Sequence, residues 1–158
     1  MKSTRALLGV LVLTLAADCG KKIAEGPDFT LPIPSGFHLE TAPGALITLV
    51  HPGSRANLVI TLVSPSTEAF NAASPAACSQ LGQAVAKQLS AKPMGAAIVE
   101  GPMGKTCRYE FKSVEGSHVS GTVVQGPKTT YVATCSSKMD DTTTPVACTT
   151  AINGWKSR

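Results

Sequence analysis

The sequence predicts an α+β domain: an antiparallel β-sheet of about six to seven strands, flanked by two helices and stapled by two disulfides. Three observations predict it. Short β-rich runs recur between Gly-Pro, Pro-Gly and Glu-Gly-Ser breaks, spaced too closely for crossover helices. Two segments switch to helical spacing, each opening with a Ser or Thr, a proline and, three residues after that proline, a cysteine (Ser74-Pro75…Cys78 and Thr144-Pro145…Cys148). Two further cysteines, Cys107 and Cys135, sit inside strand-like runs.

The chain starts with an export signature. Lys2 and Arg5 precede an apolar run from Ala6 to Ala17, followed by Asp18-Cys19-Gly20. That run is about 12 residues, against ~20 for a membrane-spanning helix, so 1–18 reads as an export signal peptide. Cys19 is the lipid-attachment candidate, carrying acyl groups such as palmitate. It would place the protein in the bacterial cell envelope, held to the membrane on the extracytoplasmic side. Asp18 stands where Gly, Ala or Ser usually precedes such a cysteine, and cleavage after Ala16 or Ala17 would instead give a secreted, soluble chain. Residues 19–28, charged and without apolar period, read as a flexible tether, and 29–158 as a single α+β domain with one core.

The elements follow in order. Phe29-Thr30-Leu31-Pro32-Ile33 alternates like a strand, and Pro32, lacking an N–H, places it at a sheet edge. Pro34-Ser35-Gly36 turns the chain. Runs 45–51 and 56–63 form a hairpin around Pro52-Gly53-Ser54-Arg55. A helix over about 75–90 follows Ser74, with Cys78, Leu81, Val85 and Leu89 on one stripe. Runs 96–100, 105–111, 118–124 and 129–135 make a four-stranded meander. In it Cys107, Tyr109 and Phe111 share one face, Arg108 and Glu110 the other, and Tyr131, Ala133 and Cys135 share a face. A C-terminal helix over about 145–156 puts Cys148, Ala151, Ile152 and Trp155 on one side.

With four Phe, two Tyr and one Trp, an aliphatic core is expected, and covalent staples gain importance. Export favours oxidation, so Cys78, Cys107, Cys135 and Cys148 form disulfides rather than a zinc site, for which no Cys-x-x-Cys spacing exists. Three pairings are possible. The sequential one, Cys78 with Cys107 and Cys135 with Cys148, ties each helix to a nearby strand.

The net charge of +4 falls by one unit when Lys2, Arg5 and Asp18 leave with the signal, and the remaining basic residues are scattered. Nucleic-acid binding has no footprint. Gly101-Pro102-Met103-Gly104-Lys105-Thr106 ends like a phosphate loop, but Val99 stands where its first glycine belongs and a strand follows. His38, His51 and His118 are dispersed, and Asp140-Asp141 lacks the spacing of a calcium loop, so no metal or cofactor is expected. Ser117-His118 is no Gly-x-Ser-x-Gly elbow. No catalytic residues are assigned. The alternative is a secreted hydrolase whose site joins distant residues, such as His118 with Asp140.

The order of elements resembles the PsbP-like fold group: a strand with its Pro34-Ser35-Gly36-Phe37 turn, a hairpin, a helix, a meander and a Trp155-bearing C-terminal helix. That group includes PsbP itself and the DcrB-type and LpqN-type bacterial envelope lipoproteins. The resemblance implies a binding or accessory module, not an enzyme, and a partner that is an envelope protein or a small ligand.

Overall fold

The computed structural model describes residues 22–63, 74–125 and 129–158. The leader, Cys19, the Ser-Pro-Ser-Thr stretch after residue 63 and the Gly-Pro-Lys turn lie outside them. The elements are β1 (Ile23–Glu25), β2 (Phe29–Pro32), β3 (His38–Glu40), β4 (Ile47–His51), β5 (Ala56–Val63), α1 (Pro75–Gln88), β6 (Lys92–Gly101), β7 (Gly104–Lys112), β8 (His118–Gln125), β9 (Thr130–Ser137), α2 (Thr143–Asn153) and β10 (Lys156–Ser157).

A seven-stranded antiparallel sheet runs β3-β4-β5-β9-β8-β7-β6, and a three-stranded sheet runs β1-β2-β10. The β4–β5 hairpin and the β6–β9 meander follow the expected connections, because short links leave no route except to the neighbouring strand. β6 carries a bulge between Pro93 and Gly95, where the proline has no N–H to give the ladder.

Three expectations are corrected. Residues 23–25 are strand, not tether: β1 pairs with β2, Ala24 is buried, and Lys22 O accepts from Ile33 N at 2.8 Å. β2 is the middle strand of the small sheet rather than an edge strand, with Pro32 tolerated because it ends the strand. Trp155 lies just beyond α2, in the link to β10, and reaches the core from there.

The domain has two cores, not one. Side chains opposite one another in register share a face. Cys107, Tyr109 and Phe111 therefore align through Val123, Gly121 and Val119 on the face that α1 covers. Ala133 and Cys135 align with Ile60 and Leu58, and with Tyr131 they lie on the opposite face, beneath α2 and the small sheet. Val123 and Val124, adjacent in β8, point into different cores. Nor are the cores purely aliphatic, since six of the seven aromatic residues are buried in them. Phe29 stacks on Trp155 with ring centres 3.7 Å apart and meets Tyr131 edge-on at 5.0 Å.

Each core has one staple. Cys78 in the first turn of α1 bonds Cys107 of β7, and Cys148 of α2 bonds Cys135 of β9. Ser74 caps α1, its Oγ accepting from Ala77 N at 3.4 Å, with Pro75 in the first turn. α2 is capped by Asp141, whose Oδ1 accepts from the Thr143 and Thr144 N–H groups at 2.9 and 3.0 Å.

Candidate functional site

α2 is too narrow to cover its face of the large sheet. It packs over β9, and beyond it the same face of β7 and β8 is polar: Arg108, Glu110 and Lys112 alternate along β7, and His118, Ser120 and Thr122 lie opposite them on β8. The other face of β7 holds Cys107, Tyr109 and Phe111, so the period of two that builds one core places the charges here.

Glu110 is held from two sides. Arg108 Nε lies 3.2 Å from its Oε1 and His118 Nε2 lies 3.3 Å from its Oε2. Arg108 also reaches α2, Nη1 donating to Thr149 Oγ1 at 3.4 Å, while Thr149 donates to Pro145 O at 2.8 Å. The Arg108 Nε–H is buried and aimed at no acceptor among the described residues, despite its proximity to Glu110. It is a donor with capacity to spare. Between α2 and the β6–β7 hairpin a groove of about 120 Å³ is lined by Val99, Gly101, Arg108, Thr122, Thr149 and Ile152. It continues through Val99 and Arg108 into a shallow depression of about 410 Å³ over Gly95, Ala97 and Glu110. A planar guanidinium with a free donor, beside an apolar wall and a carboxylate that a competing anion could displace, suits an acidic group on a small or extended ligand.

The other candidates do not converge. His38, in the exposed β3, bonds Glu40 at 2.7 Å. His51 Nδ1 meets Ser54 Oγ at 3.0 Å, its ring edge-on to Phe37. Among the described residues no three His, Cys, Asp or Glu side chains gather, and the four cysteines of the domain are consumed as disulfides. Residues 101–106 form the β6–β7 turn and lead into strand, with no helix N-terminus for a phosphate.

The carboxylate partner of His118 is Glu110; Asp140 stands exposed in the loop before α2. Ser137, His118 and Glu110 do lie side by side on β9, β8 and β7, in the order of a Ser-His-Glu relay. The relay is not assembled: Ser137 Oγ has no hydrogen-bond partner among the described residues, and the residue is 4% exposed, closed to a substrate. The sequence signal for the groove was the alternation Arg108, Glu110, Lys112 on one strand face. Thr149, more than thirty residues later in the chain, carries no local signal.

No family model matches the sequence, and no curated protein matches it either. Solved structures do. The solution structure of cyanobacterial PsbP (CyanoP) from Synechocystis sp. PCC 6803 superposes with a TM-score of 0.58, covering 83% of this chain and 87% of that one at 13% identity. The fold is PsbP-like. LpqN of Mycobacterium tuberculosis, a protein involved in cell envelope biogenesis, also has this fold: its TM-score is 0.53, with 86% of this chain and 89% of that chain covered, again at 13% identity. A PsbP-like fold fixes the sheet and the helix that border the groove but assigns no chemistry to it.

Proposed function

We propose that this protein is an exported lipoprotein of the bacterial cell envelope, acylated on Cys19, whose PsbP-like domain binds an envelope component or small ligand bearing an acidic group. The observation that carries the binding reading is the Arg108 groove, with its unaimed Nε–H, fixed walls and flanking Glu110. The short apolar leader before Cys19 supports export and anchoring. An envelope role is also consistent with the fold shared with LpqN, a protein of envelope biogenesis.

Intact mass of the protein from the membrane fraction, before and after reduction, tests the anchor: a diacylglycerol adduct is expected, and an unmodified chain starting at Ala17 or Asp18 would refute it. Native mass spectrometry of the same preparation tests the groove. Bound species are expected that disappear in Arg108→Ala, and identical species in both preparations would overturn the groove as the binding site. As a check on hydrolysis, Ser137→Ala is expected to leave any turnover of p-nitrophenyl acetate unchanged.

A further inference from the structure

We propose that the outward face of the three-stranded sheet β1-β2-β10 lies on an anionic membrane surface, fixing how the domain sits relative to the bilayer; the inference rests on acylation of Cys19. Only Gly20, Lys21 and Lys22 separate Cys19 from Ile23, the first residue of β1. At about 3.3–3.6 Å per extended residue, Ile23 can stand no more than roughly 15 Å from the acylated residue. The chain is already fastened to the fold at Lys22, whose carbonyl accepts from Ile33 N. A ten-residue tether would let the domain turn freely; three residues do not.

The register decides which surface is presented. Ala24 lies opposite Leu31, both buried with Phe29, so the inner face is committed to the core. Ile23 opposite Pro32, and Glu25 and Lys156 on either side of Thr30, form the outer face. Ile23 is 53% exposed there, an apolar side chain that the described residues leave half-open. Lys156 lies on the same face across β2, Lys22 is exposed at its edge next to Ile23 in the chain, and Glu25, on this face, is paired with Arg158 Nη1 at 3.0 Å. Asp28 is turned away, accepting from the Tyr131 hydroxyl. A half-exposed isoleucine on a face that also carries Lys156, with Lys22 at its edge, complements the headgroup region of an anionic leaflet. In this pose α1 points away from the bilayer, and the Arg108 groove opens on the membrane side of the large sheet.

The test uses the acylated protein, verified by intact mass, in phosphatidylcholine vesicles containing phosphatidylglycerol and in detergent micelles, with amide hydrogen exchange read by mass spectrometry. Peptides covering 22–32 and 154–158 are expected to exchange several-fold more slowly on the vesicles, with those of α1 unchanged. A Gly-Ser insertion of about twelve residues after Gly20, long enough to lift the sheet clear, should keep the acyl group and vesicle retention but lose the slowing. Lys22→Glu with Lys156→Glu should weaken it on anionic vesicles. Vesicle-bound, acylated protein with no slowing, or with slowing over α1, overturns the docking while leaving the anchor standing. A chain without an acyl group overturns both.

Discussion

At residue scale, one unforgiving contact is Tyr109 lying over Gly121. A Cβ at Gly121 would fall 2.2 Å from the Tyr109 ring, which is buried beneath α1 and stacked along Phe111. The ring cannot swing aside without opening that core, so Gly121→Ala is expected to cost about 1–3 kcal/mol as overpacking, measured as a lower denaturant midpoint at unchanged slope. Asp141 acts on the acid limb of the stability profile, and Tyr131, with Tyr109 whose hydroxyl burial also raises, on the alkaline limb. The Thr144 hydroxyl, then the Thr144 amide, hold the Asp141 carboxyl below its ordinary 3.8. A lowered folded value means stabilisation that is present above 3.8 and lost as pH falls through the folded value. Asp141→Ala should therefore cost about 1 kcal/mol at neutral pH, as for other caps, and nothing in strong acid. Burial, then its hydrogen bond to Asp28, raises Tyr131 above its ordinary 10.0. Its contribution is complete below 10.0 and is lost as pH rises through the folded value. Tyr131→Phe should thus flatten the alkaline limb of the stability profile.

At the scale of elements, each helix depends on its staple. α1 is 14 residues long, its buried positions are the small Cys78, Gly82 and Ala86, and its larger Leu81 and Val85 are only half-buried on the core, so it brings modest apolar area of its own. The disulfides span 29 and 13 residues. Chain entropy assigns about 3 kcal/mol to the shorter loop and about 0.7 kcal/mol more to the longer. Replacing Cys78 and Cys107 together by Ala should therefore destabilise slightly more than replacing Cys135 and Cys148, read from the two urea midpoints. An inverted order would mean that strain or residual unfolded structure outweighs loop length. The elements legible in the sequence were those with local causes: the β4–β5 hairpin, the meander, and α1 with its Ser74 cap. β1, β3 and β10, of three, three and two residues, were not. Such segments have no period to detect and become strands only because β2 and β4 supply the partner. Trp155 stands at helical spacing, three residues past Ile152, and falls on the right side; Gly154, set against Pro32, ends the helix first.

For the whole molecule, the large sheet is a wall shared by two cores. Alternation showed that Cys107 and Cys135 each face apolar neighbours, but not that they face opposite ways, because parity within a strand says nothing about its register with the next. The Arg108 groove was hidden for the same reason: its charged row was legible on β7, and its border on α2 was not. The two cores differ in what holds them. The one containing Trp155 is closed by α2, the small sheet and a stacked aromatic cluster. Among the described residues the other is closed by α1, resting through Gly82 and Ala86 on Tyr109 and its neighbours, with Leu81 and Val85 packed beside them. With both disulfides intact, helical circular dichroism and Trp155 emission should report one transition in urea. Without the Cys78–Cys107 staple, α1 has too little buried area to stay docked until the sheet melts. Helical signal should then fall at lower urea than the Trp155 shift, since the far core keeps its own closure. Coincident transitions in that variant would mean that Val123 and Val124, back to back in β8, couple the two cores into one cooperative unit.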